Sequence, residues 1–152
     1  MVAKLRVPRK IKFGSDFSGI DGWRTALQSL VPIIHEFSCD NYPQVKKMAL
    51  HCHDPKKFYD DIMGRDDESA PYVNIYTWSP PCQDFSSAGK RLGLKGKRKV
   101  GRLVRKSFLF IKTKKPRLTI FETHTWPEDQ QEVQAYRQRH CQQLQKAWLC
   151  CH

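Results

Sequence analysis

An α/β fold built on an open parallel sheet, with helices on both faces, is what this chain of 152 residues predicts. Three observations carry that expectation. Strand-like and helix-like runs alternate through the first 125 residues, the pattern that gives parallel sheets with crossover helices. A turn containing Gly14, Gly19 and Gly22 falls where the first strand meets the first helix. Asp40 closes the second strand 18 positions after Gly22, which is where doubly wound folds place an acidic residue.

The elements follow in order. The first strand is expected over 11–15 and a helix over 22–30, with Trp23, Ala26, Leu27 and Leu30 on one side. Pro32 ends that helix, because proline cannot continue it. Residues 33–39 form a second apolar run, and Pro43 opens a helix that turns Val45, Met48 and Ala49 inward. The run 72–78 reads as a strand closed by Ser79-Pro80-Pro81, and 89–101 as a glycine-containing loop dense in Lys and Arg. A helix over 102–114 holds Leu103, Val104, Phe108 and Ile111 on its inner face, and 118–121 is a further strand entered through Lys115-Pro116. Beyond Trp126 the composition shifts to Gln, with Val133, Tyr136, His140, Leu144 and Trp148 at helical spacing. The chain therefore divides into a lobe over 1–125 and a Gln-rich helix or tail over 126–152, to which no chemistry attaches.

Composition excludes several classes. Hydrophobic residues are 39% and charged residues 28% of the chain, which argues against wholesale disorder. Lys and Arg number 27 against 15 Asp and Glu, a net charge of +12, and such a surplus suits a polyanionic partner such as nucleic acid. No apolar run approaches the roughly 20 residues that cross a bilayer, so no membrane association is expected. The basic start of the chain has no apolar block behind it, so a secretory signal is not expected. The six cysteines then read as reduced thiols, and the expected location is intracellular: nuclear in a eukaryote, cytoplasmic otherwise. His51-Cys52-His53 and Cys150-Cys151-His152 lack paired zinc spacing, so no metal is expected.

The turn Asp16-Phe17-Ser18-Gly19-Ile20-Asp21-Gly22 allows close backbone approach to a ligand, and the helix start behind it offers unpaired N–H groups. A carboxylate at Asp40 is an acceptor suited to ribose hydroxyls. Taken singly, the turn is also what any tight strand-to-helix connection needs, and Asp40 what a strand end or helix cap uses. The full Gly-x-Gly-x-x-Gly pattern is missing, which points away from nicotinamide and flavin and toward another adenosine-bearing ligand.

The most informative stretch is Ser79-Pro80-Pro81-Cys82-Gln83-Asp84-Phe85-Ser86-Ser87-Ala88-Gly89-Lys90. Two prolines hold Cys82 on a stiff loop just past an apolar strand, and Lys90 and Arg91 nearby in sequence favour a thiolate, the nucleophilic form. The run Pro-Pro-Cys-Gln-x-Phe-Ser-x-x-Gly-Lys resembles the nucleophile motif of the cytosine-C5 methyltransferases. Further segments are similar in the same order: Asp16 to Gly22 to the cofactor motif, Cys39-Asp40-Asn41 to the ribose-binding position, Asp61-Ile62 to the element near the adenine, Gly101-Arg102-Leu103 to a Gly-x-Leu element, and Lys115-Pro116 through Glu122 to the Lys-Pro…Glu-Asn-Val segment.

The resemblance implies an incomplete Rossmann-like fold of the S-adenosylmethionine-dependent methyltransferases, acting on C5 of cytosine in DNA. It implies Cys82 as the nucleophile that adds to C6 of a flipped base, and Glu122 as the group that holds the base near N3 and N4. S-adenosylmethionine would lie against Phe17, Ser18, Gly19, Ile20, Gly22, Asp40, Asn41, Asp61, Ile62, Pro81 and Leu103. Gln83, Ser86 and Lys90 would face the nucleic acid, with the loop from Lys90 to Gly101 near its backbone. Three departures stand out. Asp21 occupies a position that is glycine in the family, which predicts crowding of the turn and a charge near the methionine end of the cofactor. Thr123 and His124 replace the asparagine and valine after the glutamate. No counterpart of the family's Gln-x-Arg-x-Arg motif or recognition domain follows, so the sequence reads as a fragment with its last residues from unrelated sequence. The competing readings are a remnant that binds nucleic acid without methylating it, and a fragment acting on cytosine in RNA.

Overall fold

The computed structural model describes residues 10–81 and 100–122. Its elements are β1 (Ile11–Asp16), α1 (Gly22–Gln28), β2 (Ile33–Cys39), α2 (Pro43–Cys52), β3 (Lys57–Tyr59), a 3-10 turn (Ile62–Gly64), β4 (Ile75–Trp78), α3 (Val100–Lys114) and β5 (Leu118–Phe121). The strands form one parallel sheet, as the alternating pattern predicts, and their order is β3-β2-β1-β4-β5. The chain divides into two compact units. The first, Met1–Pro80 with Lys106–Glu122, carries the whole sheet; of the second, only residues 81 and 100–105 are described. No helix among the described residues is long and apolar enough to cross a membrane.

The core of the first unit is aromatic. Phe37 of β2 packs on Tyr59, Tyr76 and Phe110 with ring centroids 5.7, 6.5 and 5.4 Å away, and Tyr76 lies 4.7 Å from Phe110 of α3. Gly14 of β1 is the residue this packing demands, since a Cβ there would sit 2.4 Å from the Phe37 ring. β1 and β2 slip register at this point: Phe13 pairs with His35 but Gly14 pairs with Phe37, leaving Glu36 as the extra residue of a β-bulge. The bulge reverses the inside–outside alternation of β2 and governs the site described below.

Several sequence-based expectations shift. The strand expected from Tyr72 begins at Ile75, because the side chain of Asn74 takes the Lys12 N–H at 2.9 Å in place of a backbone carbonyl. α1 ends at Gln28, where the N–H groups of Leu30 and Val31 both return to the Leu27 carbonyl. Its expected inner side is not a core face: no α1 residue is buried, Leu30 is 76% exposed, and only Leu27 and Arg24 are half-covered. α2 buries Ala49 and half-buries Val45 and Met48. On α3, Ile111 and Val104 are buried while Leu103 and Phe108 are half-buried, and Phe110 and Ser107, unforeseen as core residues, are fully enclosed. β3 and the 3-10 turn were not foreseen; at three residues each they are too short to show a period. The Gln-rich segment lies outside the described residues.

Candidate functional site

In a parallel sheet every strand delivers its carboxyl end to the same edge, and ligands of open α/β sheets bind there where strand order reverses. The order β3-β2-β1-β4-β5 places that reversal between β1 and β4. The segments leaving these ends are stitched to neighbouring strands. Ser18 N–H donates to the Cys39 carbonyl, Asp40 N–H to Tyr59, Ser79 N–H to Asp16, and Glu122 N–H to Trp78.

The turn after β1 has an unusual backbone. Phe17, Gly19 and Asp21 have φ of 54, 50 and 54°, alternating with Ser18 and Ile20 outside that region. The N–H groups of Ser18, Gly19 and Asp21 go to the Cys39 carbonyl, Asp40 Oδ2 and the Ser18 carbonyl, so this backbone is fixed by its own hydrogen bonds. Gly19 and Gly22 have open space where a Cβ would stand, and Ile20 is 70% exposed. The Ser18 Oγ is enclosed without a hydrogen-bond partner among the described residues. Asp40 ties the turn to the end of β2: its Oδ2 accepts from Gly19 N at 3.0 Å and its Oδ1 from Tyr42 N at 3.0 Å. A carboxylate offers about four acceptor positions, so each oxygen retains capacity for a ligand hydroxyl. Asn41, beside it, is exposed. His53 braces the turn from α2, its Nε2 2.9 Å from the Ile20 carbonyl.

Asp21 does not crowd this concavity, contrary to the expectation from sequence. Its side chain is turned into the sheet and is 2% exposed. Oδ2 accepts from Ser15 Oγ at 2.9 Å and Ser38 Oγ at 2.8 Å. Having donated to Asp21, the Ser38 hydroxyl accepts from His35 Nε2, 2.9 Å away, which puts the imidazole proton on Nε2. His35 and Ser38 are three residues apart and would lie on opposite faces of a regular strand. The bulge at Glu36 brings both to Asp21. The left-handed conformation costs an aspartate about 1 kcal/mol, and this buried cluster holds it there.

Beneath the turn lies a second buried group. Asp16, the last residue of β1, receives both Nη groups of Arg65 and the hydroxyl of Tyr76. Arg65 also donates Nε–H to Asp67 at 2.9 Å, and its guanidinium stacks 4.5 Å from the Phe110 ring centroid and 5.1 Å from that of Phe37. Burial works against the Arg65 charge, but the Asp16 carboxylate more than offsets it and holds the guanidinium above its ordinary value. Burial, and then the Asp16 charge, push the Tyr76 phenol well above its ordinary value. Between Arg65 and β3, Asp61 caps the 3-10 turn by accepting from Met63 N at 2.9 Å. Asp61 is exposed and Ile62 is buried, so Ile62 leaves little surface for a ligand.

At the other side of the edge, Glu122 follows β5 and is exposed. Its Oε2 accepts from the Trp23 indole Nε1–H at 2.8 Å and from Ser79 Oγ at 3.4 Å. Pro80 is buried and Pro81 exposed. Cys82, Gln83, Ser86 and Lys90 lie outside the described residues, and Pro81 and Leu103 belong to the second unit.

Within the first unit the structure thus brings the turn, Asp40 and the Glu122 carboxylate to the carboxyl edge of one sheet. It adds residues that the sequence did not mark as functional: Ser15, Ser38 and His35 around Asp21, Arg65 on Asp16, and Trp23 and Ser79 on Glu122. For Ser15, Ser38 and His35 the available signal was polar residues inside apolar strand runs. What the edge offers a ligand is the Asp40 carboxylate with acceptor capacity to spare and the open Cβ positions of Gly19 and Gly22.

Comparison with known proteins bears on this geometry. Residues 11–123 match the family model described as C-5 cytosine-specific DNA methylase. The chain is 29% identical over 116 residues to the orphan methyltransferase M.Rho11sI of Bacillus phage rho11s, covering 74% of this chain and 23% of that protein. It is 28% identical over 116 residues to the orphan methyltransferase M.SPRI of Bacillus phage SPR, covering 74% and 26%. The chain therefore spans about a quarter of the length of these relatives. Among solved structures, the S. pombe Dnmt2 methyltransferase superposes with a TM-score of 0.53 at 19% identity, over 86% of this chain and 40% of that one.

Proposed function

Because the chain belongs to the C-5 cytosine-specific DNA methylase family, we propose that it carries the cofactor-binding and nucleophile-bearing part of an enzyme that methylates C5 of cytosine in DNA. S-adenosylmethionine, when bound, supplies an electrophilic methyl group. The residues present fit it. Asp40 would accept from the ribose hydroxyls, Gly19 and Gly22 would let the backbone come close to the amino-acid end, and Asp61 would stand near the adenine. The support for this reading is the turn itself, whose positive φ values and empty Cβ positions leave its backbone open beside Asp40.

The chemistry at the nucleotide falls to two residues. Cys82, as a thiolate, would add to C6 of an extruded cytosine, forming a carbon–sulfur bond and making C5 nucleophilic. Glu122 would hold the Watson–Crick edge: an oxygen accepts from the exocyclic amine, and the protonated carboxyl also donates to N3. With C5 methylated, removal of its proton by a solvent base would expel the Cys82 thiolate and restore the C5–C6 double bond. The cysteine at the end of β2 is unsuited to this role, because burial above all pushes the Cys39 thiol far above its ordinary value. The surplus of 27 basic over 15 acidic residues suits a polyanionic substrate.

Covalent trapping tests the proposal. DNA carrying 5-fluorocytosine has no C5 proton to lose, so with S-adenosylmethionine it should form a denaturation-resistant adduct that Cys82→Ala abolishes. An adduct only with the corresponding RNA would transfer the reading to RNA. Salt-sensitive DNA binding with neither adduct nor cofactor binding would replace it with a non-catalytic nucleic-acid binder.

A further inference from the structure

We propose that Trp23 is the positioning residue for Glu122 and links it to the cofactor turn; this rests on the base-holding role proposed for Glu122. Glu122 sits just beyond the outermost strand of the described sheet, exposed and with three side-chain torsions to fix. Unrestrained, such a side chain samples many rotamers, and ordering it costs conformational entropy. Both hydrogen bonds it makes among the described residues fall on Oε2, from Trp23 Nε1–H at 2.8 Å and Ser79 Oγ at 3.4 Å. Oε1 is left to accept from a base. An indole N–H donates only, so it fixes an acceptor oxygen without competing for the donors of a nucleobase.

Trp23 is placed for this by the turn. It directly follows Gly22 at the start of α1, two positions beyond Asp21, whose buried carboxylate fixes the turn on the sheet. Its ring is 36% exposed, so the indole is not spent on the core. A ligand that shifts the turn moves the donor that holds Glu122, which lies 99 positions away in the chain.

The test uses the full chain with 15N-labelled tryptophan. Trp23→Phe identifies the Trp23 indole signal by its loss while keeping an aromatic ring at that position. Glu122→Ala should move that signal in the otherwise unchanged protein, and S-adenosylhomocysteine should move it in the wild type. In the trapping assay Trp23→Phe should slow adduct formation about tenfold and leave the affinity for S-adenosylhomocysteine within about threefold. An indole signal indifferent to Glu122→Ala overturns the contact. Unchanged trapping by Trp23→Phe overturns the positioning role, and loss of cofactor binding in that variant assigns Trp23 to the pocket instead. If the wild type forms no adduct, the function proposed above fails, and the link between turn and glutamate is then decided by the two indole shifts alone.

Discussion

The carboxyl ends of β1 and β5 both present carboxylates, in opposite surroundings. Asp16 and Asp21 are buried and take several hydrogen bonds each, from Arg65 and Tyr76 in one case and Ser15 and Ser38 in the other. Glu122 is exposed and tethered through one oxygen. Buried acids held by several donors make a frame; they cannot be altered without leaving unpaired polar groups in the core. An exposed acid with one oxygen free of partners among the described residues keeps its capacity for another molecule. The contrast separates residues that shape the turn from the residue placed to use it.

The contrast can be broken most forcefully at Asp16. Asp16→Ala leaves the Arg65 guanidinium buried without its main partner, and removing one member of a buried pair costs about 3–5 kcal/mol; urea unfolding of the full chain should show a loss of that size. Asp21→Ala is next, at about 1–3 kcal/mol, since it strands two buried serine hydroxyls. Asp21→Gly should lose less than Asp21→Ala, because glycine accepts a φ of 54° without strain. Cysteine chemistry sharpens the same division. Burial raises the Cys39 thiol far above its ordinary value of 9.0, whereas Cys52 is exposed. At pH 8 iodoacetamide should label Cys52 at least tenfold faster than Cys39. The sign for stability follows: above pH 9 an unfolded Cys39 ionises and a folded one does not, so rising pH there favours unfolding. The smallest effect belongs to Glu122→Gln, expected within about 0.5 kcal/mol of wild-type stability.

The parallel sheet, and the placing of the glycine turn and Asp40 at strand ends, were legible because they rest on local pattern: apolar runs, Pro32 and Pro43 as breakers, glycines at a strand end and Asp40 at the next. The fate of Asp21 was not. It depends on a single-residue bulge at Glu36 that turns His35 and Ser38 to the same side, and nothing in the apolar pattern of β2 marks where a ladder will slip. Arg65 was invisible for a related reason: its partner Asp16 is 49 positions away, and a charged residue in a polar segment reads as solvent-facing. Helical spacing puts Trp23 on one side of α1 with Ala26, Leu27 and Leu30. In a helix of seven residues with no buried side chain, that spacing marks no core face.

The central claim is that the turn after β1, held by Asp21 and closed by Asp40, is a nucleoside site whose ligand contacts do not include Glu122. Calorimetric titration with S-adenosylmethionine addresses it directly. The wild-type chain should bind, Asp40→Ala should weaken binding tenfold or more through loss of charge-assisted hydrogen bonds of about 1.5–3 kcal/mol, and Glu122→Gln should leave affinity within about twofold. Absence of binding by the wild type, or equal binding by Asp40→Ala, would contradict the account.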